Sequence, residues 1–139
     1  MNYSTFNINN FFIKKDSTLP VLKYPLTQFV LEQYDITKDM LENVAVTFSM
    51  MDADTGLYRI ANVAANLVIN TNRPEFPDEL TYTLVYKFKL SQTSKSGRYV
   101  GEFVLDFLNP EYGCGKIKLP VDNQINIIIS DSITKTTVV

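Results

Sequence analysis

Four carboxylates, Asp52, Asp54, Glu102 and Asp106, are the side chains of this sequence best suited to acid–base chemistry. One protonated and one ionised carboxylate are all that glycoside hydrolysis requires. Little else supports catalysis. The 139 residues include no histidine, which removes the commonest general base, the Ser-His-Asp and Cys-His arrangements and most transition-metal sites. No P-loop, dinucleotide fingerprint or nucleophile elbow occurs. Glu102 and Asp106 also fall on the solvated side of an alternating segment, so the expectation is a protein that is not an enzyme and uses no cofactor.

Asp52-Ala-Asp-Thr-Gly56 opens like a calcium loop. An EF-hand then needs a further ligand at its fifth position and a bidentate glutamate at its twelfth. Those positions hold Gly56 and Val63, so the segment reads as a turn between strands and no metal is expected. The single cysteine, Cys114, stands between Gly113 and Gly115 and reads as a small residue in a tight loop. Without a second cysteine no disulfide closes within the chain, which fits a reducing compartment or an assembly that dispenses with disulfides. Most tyrosines and phenylalanines alternate with polar residues and read as core. Tyr3, Phe6, Ile8, Phe76 and Tyr112 lie instead in arms or loops and are the candidates for partner contact.

What would position these groups is a set of strands. In residues 97–107, Tyr99, Phe103, Leu105 and Phe107 share one face with Gly101, opposite Arg98, Glu102 and Asp106. Residues 81–90 repeat the pattern, with Tyr82, Leu84, Tyr86, Phe88 and Leu90 opposite Thr81, Thr83, Lys87 and Lys89. Such alternation marks strands with one buried face. The polar connector 91–97, ending in glycine, predicts that the two pair as an antiparallel hairpin. Val44, Val46, Phe48 and Met50 alternate in the same way.

Further short strands are expected at 11–15, at 21–24 before Pro25, over 57–69 with Asn62 and Asn66 as bulges or a kink, at 116–121, and at 125–129 closing the sheet, covered on both sides. Residues 26–43 read mostly as loop and short strand, with Thr37 a possible helix N-cap. Pro74 and Pro77 make 70–79 a loop. Six or more strands with little helix signal predict an all-β protein, an antiparallel β-sandwich over residues 11–131, with an N-terminal arm (1–10) and a C-terminal tail (132–139).

The totals set limits. A chain of this length suits one domain, and 45% hydrophobic with 20% charged residues suits a globular one. A net charge of −2 argues against a nucleic-acid partner, which would want a basic surface. No apolar run approaches the roughly 20 residues that span a bilayer, and the first residues lack the basic start and apolar core of a secretory signal. The expectation is synthesis in the cytoplasm and no membrane partner.

Several segments resemble the small immunoglobulin-like modules of tailed-bacteriophage virions, of which the N-terminal domains of upper baseplate proteins are best known. Phe12-Ile-Lys-Lys-Asp-Ser-Thr-Leu-Pro20 is similar to their opening, a basic pair and then an Asp-Thr-x-Pro-like turn. Val44-Ala-Val-Thr-Phe-Ser-Met-Met-Asp52 and Gly97-Arg-Tyr-Val-Gly-Glu-Phe103 resemble two of their strands. Leu119-Pro120 before Ile125-Asn-Ile-Ile-Ile129 resembles the closing one. The resemblance implies an immunoglobulin-like sandwich and a non-enzymatic structural component of a virion: a capsid-decorating, neck, or tail and baseplate accessory protein. Its partners would be the major capsid, neck or tail subunits, met in many copies through the arm 2–10, the loop 70–79 and the tail after 132. A carbohydrate-binding β-sandwich module is the alternative, and a carboxylate-only hydrolase stands third.

Overall fold

The computed structural model describes residues 10–71, 75, 80–108 and 115–132. The partner-contact candidates Tyr3, Phe6, Ile8, Phe76 and Tyr112 lie outside the described residues, as do Cys114 and most of the arm and tail. Within them, alternation becomes nine strands: β1 (Asn10–Lys14), β2 (Leu22–Leu26), β3 (Val44–Asp52), β4 (Tyr58–Ala64), β5 (Asn66–Thr71), β6 (Leu80–Tyr86), β7 (Gly97–Phe107), β8 (Gly115–Leu119) and β9 (Ile125–Ser130). They form two sheets. The larger has the order β1-β9-β7-β3-β4, with β8 also on β7, and the smaller has the order β2-β6-β5.

The expected all-β, two-sheet architecture is observed, but the purely antiparallel arrangement is not. β1 runs parallel to β9, pairing Phe11 with Ile127 and Ile13 with Ile129. The two strands are more than a hundred residues apart in the chain, so no hairpin forces them to run in opposite directions. β9 does not close the sheet; it lies inside it, between β1 and β7. Nor is it covered equally on both sides: Ile125, Ile127 and Ile129 are buried, while Asn126 and Ile128 are half-exposed.

β7 organises the larger sheet because it is long enough to serve three neighbours. Tyr99 to Phe107 pair with β3, Gly97 to Gly101 with β9, and Phe103 to Phe107 with β8. At the changeover, a Cβ on Gly101 would stand 2.8 Å from both Phe48 Cζ and Ile127 Cδ1. Glycine is there to let that ring cross the strand. Phe48 then stacks on Tyr86 at 4.7 Å and meets Phe103 at a tilt at 5.0 Å, with Phe88 edge-on at 6.0 Å. Tyr24 of β2 meets Phe103 at 6.3 Å. These rings join the two sheets into a single core.

The expected hairpin between residues 81–90 and 97–107 does not form. β6 pairs with β2 and β5, and β7 with β3, β8 and β9, so the connector carries the chain from one sheet to the other. Its polar residues make that crossing possible. Gln92 Oε1 accepts from Tyr86 Oη and from Lys89 N, both at 2.9 Å. Thr93, fully buried, donates from Oγ1 to Ser17 O at 2.8 Å. The buried Thr93 hydroxyl and the Tyr86 phenol thus both keep hydrogen-bond partners, as burial demands. Tyr82, Leu84, Tyr86 and Phe88 are buried as expected, but Leu90, inside a 3₁₀ turn, is exposed.

Three further departures share one lesson about context. β2 runs through Pro25 rather than stopping before it, which an edge strand tolerates because no ladder bond is lost on its open side. β5 extends to Thr71, past the expected start of the loop. Residues 26–43 hold two short helices, α1 (Gln28–Gln33) and α2 (Lys38–Leu41), rather than loop and strand. Each starts at a threonine whose Oγ1 accepts a backbone N–H at 3.3 Å, Thr27 from Val30 and Thr37 from Met40.

Candidate functional site

The carboxylates do not converge. Asp52 Oδ1 is spent inside its turn, accepting from Asp54 N at 2.8 Å and Thr55 N at 3.1 Å. Those backbone bonds, to Thr55 first and then Asp54, hold its carboxyl below the usual aspartate value. Gly56 closes the turn at φ +73°, so the reading of a turn holds. Asp106 faces Lys116 at 3.9 Å on an exposed part of the sheet. Glu102 lies four residues away on β7, roughly 13 Å along an extended chain. Glycosidase pairs stand about 5 to 9.5 Å apart. Among the described residues, no three of His, Cys, Asp and Glu gather as a metal would need.

The geometry instead assembles a surface. On the face of the larger sheet turned away from the core, Val100 is opposite Met51 and Asn126, and Met51 is opposite Tyr58. Two residues along, on the same face, Phe12 is opposite Ile128, which is opposite Arg98. Phe12 is 63% exposed and Tyr58 66%. Strand parity explains the row: the neighbours Phe11, Ile13, Tyr99 and Met50 turn inward, so these side chains must turn out. The result is an apolar band across five strands, Phe12 and Ile128 meeting Val100, Met51 and Tyr58 on the diagonal, with Arg98 and Asn126 set into it and Glu102 beside it. At its β4 end lies a shallow cavity of about 100 Å3 lined by Ser49, Met51, Tyr58, Val100, Glu102 and Gln124. Small-molecule sites run to several times that, about 300 Å3 and more.

β4 reaches this face through irregular pairing. The register with β3 shifts between Phe48 and Met50 and again between Met50 and Met51, each shift adding a residue to β4. At the first, Asn62 adopts φ +51°; its N–H donates to Ser49 Oγ at 2.9 Å, and Ser49 Oγ donates to Asn62 Oδ1 at 3.3 Å. The expected interruption at Asn62 is therefore a bulge. At the second, Arg59 is re-aimed toward the connector 91–97, where Nη2 donates to Ser91 O at 2.8 Å and to Ser94 Oγ. Asn66 marks a different interruption. Between β4 and β5 a single residue, Ala65, carries the chain into the other sheet, with its N–H donating to Val46 O at 2.9 Å.

A second group of titratable side chains sits at the seam of the sheets. Burial, and then the nearby Tyr34 and Asp122, push the Tyr24 phenol up to about 12. It therefore stays neutral at ordinary pH, with its ring against Phe103.

None of Phe12, Met51, Tyr58, Val100 and Ile128 was marked by the expected partner-contact set. The available signal was apolar residues at the wet parity of a strand, such as Val100 between Arg98 and Glu102. Comparison of the chain with protein-family models, with curated proteins and with solved structures gives no match.

Proposed function

We propose that this chain is a non-enzymatic structural component of a tailed-phage virion, an immunoglobulin-like sandwich that works through protein–protein contacts. Its partners are the major capsid, neck or tail subunits of the particle. The observation that carries the proposal is the apolar band on the outer face of the larger sheet. A face of exposed Phe12 and Tyr58 and half-exposed Ile128, Val100 and Met51, with Lys14, Arg98 and Glu102 around them, is the anatomy of a contact surface with polar surroundings. The segments that resemble phage modules fall on β1, β3, β7, β8 and β9, all strands of this same sheet.

The test is a mass-spectrometric inventory of purified particles from a lysate that encodes the chain. The expected result is the protein present in a fixed ratio to the major structural subunit. Val100→Lys, which sets a charge in the middle of the band, should cut incorporation about tenfold or more, with the circular-dichroism spectrum unchanged. A chain absent from particles and recovered free would overturn the assignment; normal incorporation of the variant would remove the band from it.

A carbohydrate-binding role is the second reading, favoured by one feature. Tyr58 presents its ring to solvent beside Glu102 and Gln124, and an exposed ring next to hydrogen-bonding groups suits a sugar face. Saturable glycan binding abolished by Tyr58→Ala would support it, and a flat glycan screen would dispose of it.

A further inference from the structure

Five strands have an unpaired side among the described residues: β1, β2, β4, β5 and β8. An open strand edge invites another strand, and proteins blunt such edges with lysine, proline or bulges. β1 carries Lys14, β8 carries Lys116 and Lys118, and β2 carries Lys23 and Pro25. β4 has two register shifts and Arg59. β5, Asn66-Leu-Val-Ile-Asn-Thr71, has no charge, no proline and no bulge. It is the one unguarded edge in this set.

Its sequence is also close to a palindrome. Asn66-Leu67-Val68-Ile69-Asn70 reads the same in either direction apart from the exchange of leucine for isoleucine. A two-fold axis normal to the small sheet and midway between the Val68 residues of two copies would pair the strand with itself antiparallel. Val68 would then face Val68 of a second copy, Leu67 would face Ile69, and Asn66 would face Asn70. Directly opposed residues in an antiparallel pair lie on the same side of the sheet, and this axis keeps that parity. Leu67 and Ile69 are opposite Leu84 and Tyr82 of β6 and so sit on the core side; Val68, opposite Thr83, sits on the outer side. The chain alone leaves Ile69 47% and Val68 37% exposed, and the axis gives each an apolar neighbour. No charge is brought against its own copy, which a two-fold through the lysine-bearing edges would do.

We infer that β5 is a self-association edge, through which two copies of this chain join their small sheets into one continuous sheet with the order β2-β6-β5-β5-β6-β2. The occupant is a second copy because the strand is complementary to itself, as an isologous contact requires. The inference goes beyond the virion assignment and does not depend on it: a chain absent from particles yet dimeric through β5 would leave it standing.

Sedimentation equilibrium of the full chain over a micromolar concentration series tests it. The expected result is a monomer–dimer equilibrium. Val68→Lys, which opposes two ammonium groups across the axis, should weaken it about tenfold or more. A second measurement is independent of how that variant folds. In a Cys114→Ser background, Val68→Cys should give a disulfide-linked dimer on mild oxidation, because opposed Cα atoms in an antiparallel pair lie about 4.5–5.5 Å apart, within the roughly 4.4–6.8 Å that a disulfide spans. Tyr58→Cys on β4 serves as the control and should stay monomeric. A chain that is monomeric throughout the series overturns the inference, including one that takes up a strand from a different protein instead. So does a dimer indifferent to Val68→Lys, or equal cross-linking at positions 58 and 68.

Discussion

β4 and β5 are consecutive strands, separated only by Ala65, and each is an outer strand of its own sheet. They treat that position in opposite ways. β4 takes in two extra residues, turns Asn62 to positive φ and ties it to the buried Ser49. β5 pairs with β6 without a break over six residues and presents Val68 and Ile69 to solvent. Bulges twist an edge away from would-be partners, whereas a regular neutral strand keeps its free backbone groups in a row. The difference separates two jobs that an edge can do. β4 is shaped by what lies beneath it, and β5 by what can be added beside it.

That contrast can be broken from the core side first. Phe48 is fully buried, opposite Val63 of β4, and shares its ring with Tyr86 and Phe103. Phe48→Ala should cost about 3–5 kcal/mol in urea unfolding. A loss below about 1 kcal/mol would mean that the ring does not join the sheets. The next largest effect belongs to β2, the opposite edge of the small sheet. The Tyr24 phenol, at about 12 against 10.0 when free, favours folding fully below pH 10, and that contribution is lost as pH rises through 12. The contribution is at most about 2–3 kcal/mol, so Tyr24→Phe should flatten the alkaline fall in thermal midpoint across that window. An unchanged alkaline profile would assign the fall to other tyrosines, of which Tyr82, Tyr86 and Tyr99 are also raised, chiefly by burial. The smallest effect sharpens the contrast itself. Ser49→Ala removes both hydrogen bonds to Asn62 and should cost about 1–2 kcal/mol, with hydrogen exchange rising in β4 and unchanged in β5. Equal loosening of both strands would show that they answer to one support.

The faces of the strands were legible in the sequence, but their neighbours were not. Alternation at 44–51 and 97–107 names the inward residues correctly, because parity is a local property of an extended chain. Thr37 as a cap and Asp52 to Gly56 as a turn are local for the same reason. Sheet membership is decided elsewhere. Adjacent strands joined by a polar connector look like a hairpin until Gln92 and Thr93 are seen bonding across to Tyr86 and Ser17. The outer band escaped for a related reason. In Phe11-Phe12-Ile13 three apolar residues run together, and only pairing with β9 determines that the middle one faces solvent.

Ala65 gives the molecule a shared phase. With one residue between two strands there is no slack to absorb a miscount, so each residue gained or lost in β4 is passed on to β5. Remove Asn62, and one of two things must yield: β4 slides along β3, or β5 rolls over and turns Leu67 outward. The extra residues in the first strand thus keep the count on which the mirrored pattern of the second depends.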